Sequence, residues 1–308
     1  MSGSRLSLAL VLLLGGLGLG ASCRNNRTPT PVQAEGDRAA QVTPTPAPGG
    51  IVTEVRGLEL GELSAAERET FWAIANDELS PCGDPHSIAV CARDRLPCRS
   101  CLPALRFLAR RVRDGFPREQ LSDHLRQRYA ASSVVQIRTE GAPSHGSVAA
   151  TVTVVEFSDY ECPHCAAAIP LLRQIERDLE GRIRVVHMNF PLSGHQHAMP
   201  AARAALAAGR QGKFWEMNDL LFQNQRHLET ADIERYATQL SLDMTRFRAD
   251  SASPEIEAQI QASRREGERL QINGTPTIFI NGRRFELNLD RESLREWIQE
   301  ELDAGGAR

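Results

Sequence analysis

The chain has no strong bias of charge, no hydrophobic run long enough to make a comfortable membrane span, and no internal repeat. A formal net charge of −3 over 308 residues lacks the basic field that a nucleic-acid partner would need, so no nucleic acid is expected. The uncharged stretch from Leu6 to Leu19 is short and glycine-rich, which argues against a spanning helix. The missing repeat excludes a solenoid. What is there, 41% hydrophobic and 24% charged residues, is the composition of an ordinary globular protein long enough for two domains. Function must therefore be sought in local chemistry.

Arg5 followed by that uncharged run has the form of an export signal. The run closes in GLGLGASC, which resembles the bacterial lipoprotein cleavage site, where small residues precede a cysteine that is lipidated; here that is Cys23. Gly20 stands where leucine is commoner in that pattern, which leaves cleavage by an ordinary signal peptidase or an uncleaved anchor open. Residues 1–23 are read as this signal or lipoprotein-like segment. Residues 24–51, rich in Pro and Thr and without apolar period, read as a disordered tether. The expected location is the periplasmic side of a bacterial cell envelope, on a membrane by its lipid anchor, where disulfides persist.

The seven cysteines then sort into three sets. Cys23 takes lipid, Cys82, Cys91, Cys98 and Cys101 form one cluster, and Cys162 and Cys165 form a pair. Residues 52–130 read as a helical module around the cluster. Ser64 three residues ahead of Glu67 makes a capping box, Leu105, Leu108 and Val112 share a helical face that ends at Gly115, and Pro117 opens a further helix. The four cysteines read first as two structural disulfides stapling a small core, with a second redox pair at Cys98 and Cys101 or a metal site as alternatives. "RRVRDGFPREQLSDHLRQRY" resembles the helical pair of thiol-reductant modules in cytochrome c maturation, which keeps the redox alternative open.

A linker over 131–147 separates this module from residues 148–308, where the pattern alternates. "VAATVTVVEF" reads as a strand buried on both faces, Pro163 to Leu179 as a helix, "RIRVVHMNF" as a second strand, and 197–270 as a long helical stretch. "TPTIFINGRRFEL" supplies two strands around an Asn-Gly turn, and Asp290 caps a final helix. Together these make an α/β layer fold. Within it, Cys162 falls at the N-cap of a helix whose first residue is Pro163. There its sulfur should accept the amides of His164 and Cys165, and the helix dipole with a protonated His164 should favour its thiolate. Cys162 is thus the exposed, reacting sulfur and Cys165 its more buried partner.

This segment resembles the thioredoxin superfamily, and more closely its DsbA-like thiol:disulfide oxidoreductases. The resemblance implies a thioredoxin-like fold with a helical insertion at "NFPLSGHQHAMPAARAALAAGRQGKFWEMNDLLFQNQ". It implies that Glu156 is the buried acid assisting proton transfer at Cys165, that Pro170 kinks the active-site helix, and that Thr275-Pro276 is a cis bond facing the disulfide. The Thr275 amide and carbonyl could then pair with an extended substrate strand, giving recognition by main chain. The Pro163-His164 dipeptide is that of strongly oxidising members, whereas a threonine before the cis-proline also occurs in isomerases. The expected function is disulfide donation to protein thiols, with isomerisation or reduction as alternatives. A quinone-linked membrane partner is the implied reoxidant, and no organic cofactor is required. The rival reading is a metal-binding lipoprotein that uses its Cys and His clusters with Met188 and Met199; His195 and His197 are its loop ligands, although loop histidines are more often simply solvated.

Overall fold

The computed structural model describes residues 50–129, 133–179 and 181–305. The signal-like segment, Cys23 and nearly all of the expected tether lie outside the described residues. In the first part, Ser64 Oγ accepts Glu67 N–H at 3.3 Å and Glu67 Oε2 accepts Ser64 N–H at 2.7 Å, the reciprocal cap that starts α1 (Ala65–Asp77). Helices α2 (Ile88–Arg93), α3 (Cys101–Arg113) and α4 (Arg118–Tyr129) complete the module. Its core is Phe71, Ile74, Leu105, Leu108 and Leu121, all essentially inaccessible to water. Disulfides join Cys82 to Cys98 and Cys91 to Cys101. Neither sulfur of the "CRSC" stretch bonds the other, so the cluster is a pair of staples in this structure.

The second part is a five-stranded sheet in the order β1-β3-β2-β4-β5: β1 (Ser144–Gly146), β2 (Val152–Ser158), β3 (Ile183–Asn189), β4 (Thr277–Ile280) and β5 (Arg283–Arg284). β2 and β3 run parallel, connected by α5 (Pro163–Asp178), and the other pairings are antiparallel. Two residues, Asn281 and Gly282, turn β4 into β5 with φ of 49° and 78°, the left-handed geometry that an Asn-Gly hairpin supplies. A final helix, α11 (Arg291–Gly305), starts where Asp290 Oδ1 accepts Ser293 N–H.

Alternation along the strands divides the core. Val152, Val154, Ile183 and Val185 face α5 and α11, packing on Leu172, Ile175, Leu294 and Ile298, while Val155, Phe157, Val186 and Met188 face the opposite layer with Phe190 and Ile272. The stretch 197–270 is five helices and not one: α6 (Ala198–Gly209), α7 (Phe214–Gln223), α8 (Thr230–Gln239), α9 (Met244–Ser251) and α10 (Pro254–Arg269). Their alanine-rich and aromatic faces close over the start of α5.

Two boundaries differ from the sequence reading. The buried strand begins at Val152 and not at Val148, which is 84% exposed within the turn at 147–150. Residues 144–146, read as linker, form β1 on the edge of the sheet; three polar or small residues carry no alternation for a sequence to show. Gly146 is required there, because with φ of 90° a Cβ would stand 2.4 Å from the Ile183 carbonyl oxygen.

Arg128 joins the two parts. It is only 4% exposed, donates to Glu301 Oε1 at 3.1 Å and Glu300 Oε2 at 3.2 Å, and lies 3.5 Å from the Trp297 ring centroid. Tyr129 Oη donates to the same Glu300 carboxylate at 3.1 Å, and Arg110 pairs with Glu296 and Glu300. Burial holds the Glu300 carboxyl above the usual range although Arg128 and Arg110 oppose it.

Candidate redox site

β2 is followed by a loop, 159–161, that delivers Cys162 to the start of α5. The helical insertion holds this loop from both sides. Asp159 Oδ1 accepts Glu161 N–H at 2.7 Å, and its Oδ2 accepts Leu192 N–H at 2.7 Å and meets His195 Nδ1 at 2.9 Å. Glu161 Oε2 accepts the N–H groups of His197 and Ala198 at the start of α6. Opposite, Gln225 Nε2 donates to Tyr160 O at 2.7 Å and Cys162 O at 2.9 Å. The backbone at Tyr160 and Cys162 is thereby fixed by Gln225, 65 and 63 positions further along the chain.

Pro163 takes the first helical position and Cys162 the N-cap, as expected, and Pro170 lies inside α5. The cap geometry does not follow the expectation. Cys162 makes no side-chain cap hydrogen bond; its thiol donates to Thr275 O at 3.2 Å. Both cysteines are free thiols here, and a neutral thiol is a donor before it is an acceptor, so it turns to a carbonyl and not to the helix amides. Nor is the sulfur widely open: Cys162 is 5% exposed and Cys165 0%, which keeps the expected order between them but buries both. Pro163 and His164 are exposed at the surface beside them.

The pairing of Glu156 with Ile278 and Phe157 with Thr277 brings the Thr275-Pro276 peptide, which is cis, alongside the end of β2. Topology thus unites at one spot Cys162, Cys165 and Thr275, separated by more than a hundred positions. Burial pushes the Cys165 thiol up to about 12, partly opposed by the Ser158 hydroxyl, the Asp159 backbone amide and the Thr275 hydroxyl. In the dithiol geometry Ser158 Oγ and Thr275 Oγ1 are buried without an aligned hydrogen bond.

Glu156 is 1% exposed on the strand face beneath α5, where Ile169, one turn beyond Cys165 on the same side of the helix, shares with it a cavity of about 10 Å³. Its Oε1 lies 2.9 Å from His187 Nδ1, while its Oε2 has no hydrogen-bond partner among the described residues. His187 is fully buried on β3, in direct register with Glu156, and its Nε2 is 3.4 Å from Asn189 Oδ1. The sequence reading missed His187 and Gln225. For His187 a signal existed: Glu156 is the one ionisable residue of β2, His187 follows the apolar Val185-Val186 in β3, and parallel pairing puts the two side by side. Gln225 gave none. His195 and His197 answer different carboxylates, Asp159 and Glu229, and among the described residues the one sulfur cluster with metal-ligand spacing, Cys91, Cys98 and Cys101, is consumed by the disulfides.

Comparison with known proteins agrees with this architecture. The Na(+)/H(+) antiporter NhaA 1 of Salinispora arenicola is 43% identical over 146 residues, 47% of this chain and 22% of that protein. NhaA 3 of Salinispora tropica is 44% identical over a segment of the same length and coverage. The chain spans about a fifth of the length of these curated relatives, and antiport is named for the longer proteins; among the described residues no helix is long and apolar enough to cross a membrane. The crystal structure of oxidised BdbD from Bacillus subtilis superposes with a TM-score of 0.50 at 23% identity, covering 55% of this chain and 97% of that one, a likeness of fold. Residues 138–300 match the family model described as thioredoxin, which is more than half of the chain. The protein therefore belongs to the thioredoxin family, with its four-cysteine helical module placed ahead of the matched region.

Proposed function

We propose that the protein is a thiol:disulfide oxidoreductase that exchanges a Cys162–Cys165 disulfide with protein substrates, most readily as a disulfide donor. The observation that carries this reading is the inequality of the two sulfurs. Cys162 sits at a helix start beside the Thr275 carbonyl, and Cys165 is sealed below it with its thiol pushed up to about 12. In the donor direction a substrate thiolate attacks Cys162 Sγ, the Cys162–Cys165 bond breaks, and Cys165 leaves with the electron pair. Because burial disfavours its thiolate, Cys165 has to take a proton as it leaves, and Glu156 with its free Oε2 under α5 is the group for that role. A second substrate thiolate then attacks the substrate sulfur of the mixed disulfide, Cys162 departs, and two electrons have passed to the enzyme. The Ser158 and Thr275 hydroxyls, unspent in the dithiol, are donors for the sulfur that becomes anionic during these steps.

The Thr275 backbone would meet an extended substrate segment, giving broad specificity by main chain. Location on the periplasmic side of a cell envelope, anchoring through lipid on Cys23, and reoxidation by a quinone-linked membrane partner belong to the same proposal. A redox titration of the Cys162–Cys165 couple, paired with oxidative refolding of a reduced substrate protein, tests it. A potential near ~−120 mV supports donation, and one near ~−270 mV makes the protein a reductant.

A further inference from the structure

We propose that the cavity of about 340 Å³ between the helical module, the β4–β5 hairpin and α11 binds a small amphiphilic organic anion, a carboxylate carried on an apolar ring or short chain. This volume is at the lower end of what small-molecule sites occupy, ~300–1,000 Å³. Phe107, Phe116, Leu287 and Trp297 supply apolar walls.

Three polar atoms on the lining are buried and lack a hydrogen-bond partner among the described residues: Arg128 Nε, Trp297 Nε1 and His124 Nδ1. Two belong to side chains more than nine-tenths buried, since Arg128 is 4% and Trp297 3% exposed. Arg128 Nε and Trp297 Nε1 can only donate, and a buried donor left unmade is costly, so two on one cavity wall call for an acceptor inside it. The charge of the acceptor follows from how the guanidinium groups are engaged. Arg128 is committed to Glu300 and Glu301, and Arg111 leans on Phe107, Phe116 and Asp114. Arg284, on β5, lines the cavity with no ion-pair or side-chain hydrogen-bond partner among the described residues. Among the described residues the only carboxylate on the lining is Glu286, which is exposed. One unspent cation beside donor-only atoms and an apolar wall fits a monoanion with a hydrophobic body better than a free dianion such as phosphate, which would remain undercompensated.

The test uses the full chain with ¹⁵N-labelled tryptophan and 4-phenylbutyrate as the probe, with 4-phenylbutan-1-ol as its neutral counterpart. Trp72→Phe and Trp215→Phe assign the three indole resonances. The expected result is a saturable shift of the Trp297 indole N–H with the acid, at least ~10-fold weaker binding of the alcohol and of the acid to Arg284→Gln, equivalent to ~1.4 kcal/mol, and partial recovery in Arg284→Lys. Phe116→Trp, which fills the cavity with every arginine in place, should block the shift, and Arg284→Gln should leave thiol exchange unchanged. An unmoved Trp297 resonance up to the solubility limit of the acid overturns the proposal. So does acid binding that is undiminished in Arg284→Gln or matched by the alcohol.

Discussion

Isolating Cys165 with Cys162→Ser puts the central asymmetry to a quantitative test. A thiol that titrates at about 12 is ionised at pH 8 to roughly one part in 10⁴, against about a quarter for an ordinary cysteine of pKa ~8.5, a ~2,000-fold deficit of the reactive form. The thiolate of a weaker acid is the better nucleophile; with a Brønsted coefficient of ~0.45 the ~3.5-unit difference returns a factor of ~40. Alkylation of folded Cys165 by iodoacetamide should therefore be at least ~50-fold slower than that of the same residue in guanidinium, and slower still because the sulfur is 0% exposed. The assay is quench-flow labelling followed by peptide mass spectrometry. Across pH 7–10 the logarithm of the rate should climb with unit slope and no plateau. A folded rate within ~5-fold of the unfolded one, or a plateau below pH 10, would refute the argument that burial governs this sulfur.

Cys165→Ser should accumulate mixed disulfides with a reducible protein substrate through Cys162, visible on non-reducing gels, whereas Cys162→Ser should accumulate none. Above pH ~9 the unfolded chain releases the Cys165 proton while the folded dithiol keeps it, so stability falls as pH rises from about 9 towards about 12, at up to ~1.4 kcal/mol per pH unit; chemical denaturation of the reduced protein against Cys165→Ala over pH 7–10.5 should show the slope in the former alone. Arg128→Ala removes the shared cation from the partly buried Glu300 and Glu301, which keep only Arg110, Tyr129 and Asn281, and should cost ~3 kcal/mol by urea titration, with Arg128→Met, which keeps the packing against Trp297, losing less than the alanine.

What could be read from the sequence was whatever the backbone encodes locally. Ser64 and Glu67, Pro163 after Cys162, and Asn281-Gly282 each state their geometry within a few residues, and each stands where expected. The thioredoxin resemblance carried Glu156 and Thr275-Pro276 to their neighbourhood. The parts not legible depend on partners far along the chain. Gln225 has no reason to reach Tyr160 and Cys162 until α7 and α8 have folded over α5, and Arg128 looks like one more basic residue on a polar helix until Glu300 arrives beneath it. Pairing among the four module cysteines was undecidable because four positions allow three connectivities. The direction of the Cys162 thiol was misjudged for a different reason: the cap argument holds for an anion, and the structure has the neutral donor.

The clasp of Arg128 on the final helix also orders events in time. A polypeptide made from its N-terminus can close its staples early, since they span only 16 and 10 positions, but the anchor for α4 comes 172 positions after Arg128. During that interval the leading bundle rests on its own apolar core and its covalent crosslinks, with the Arg128 guanidinium still awaiting its counterions. Vectorial assembly thus gives the staples a scaffolding duty that ends when α11 docks.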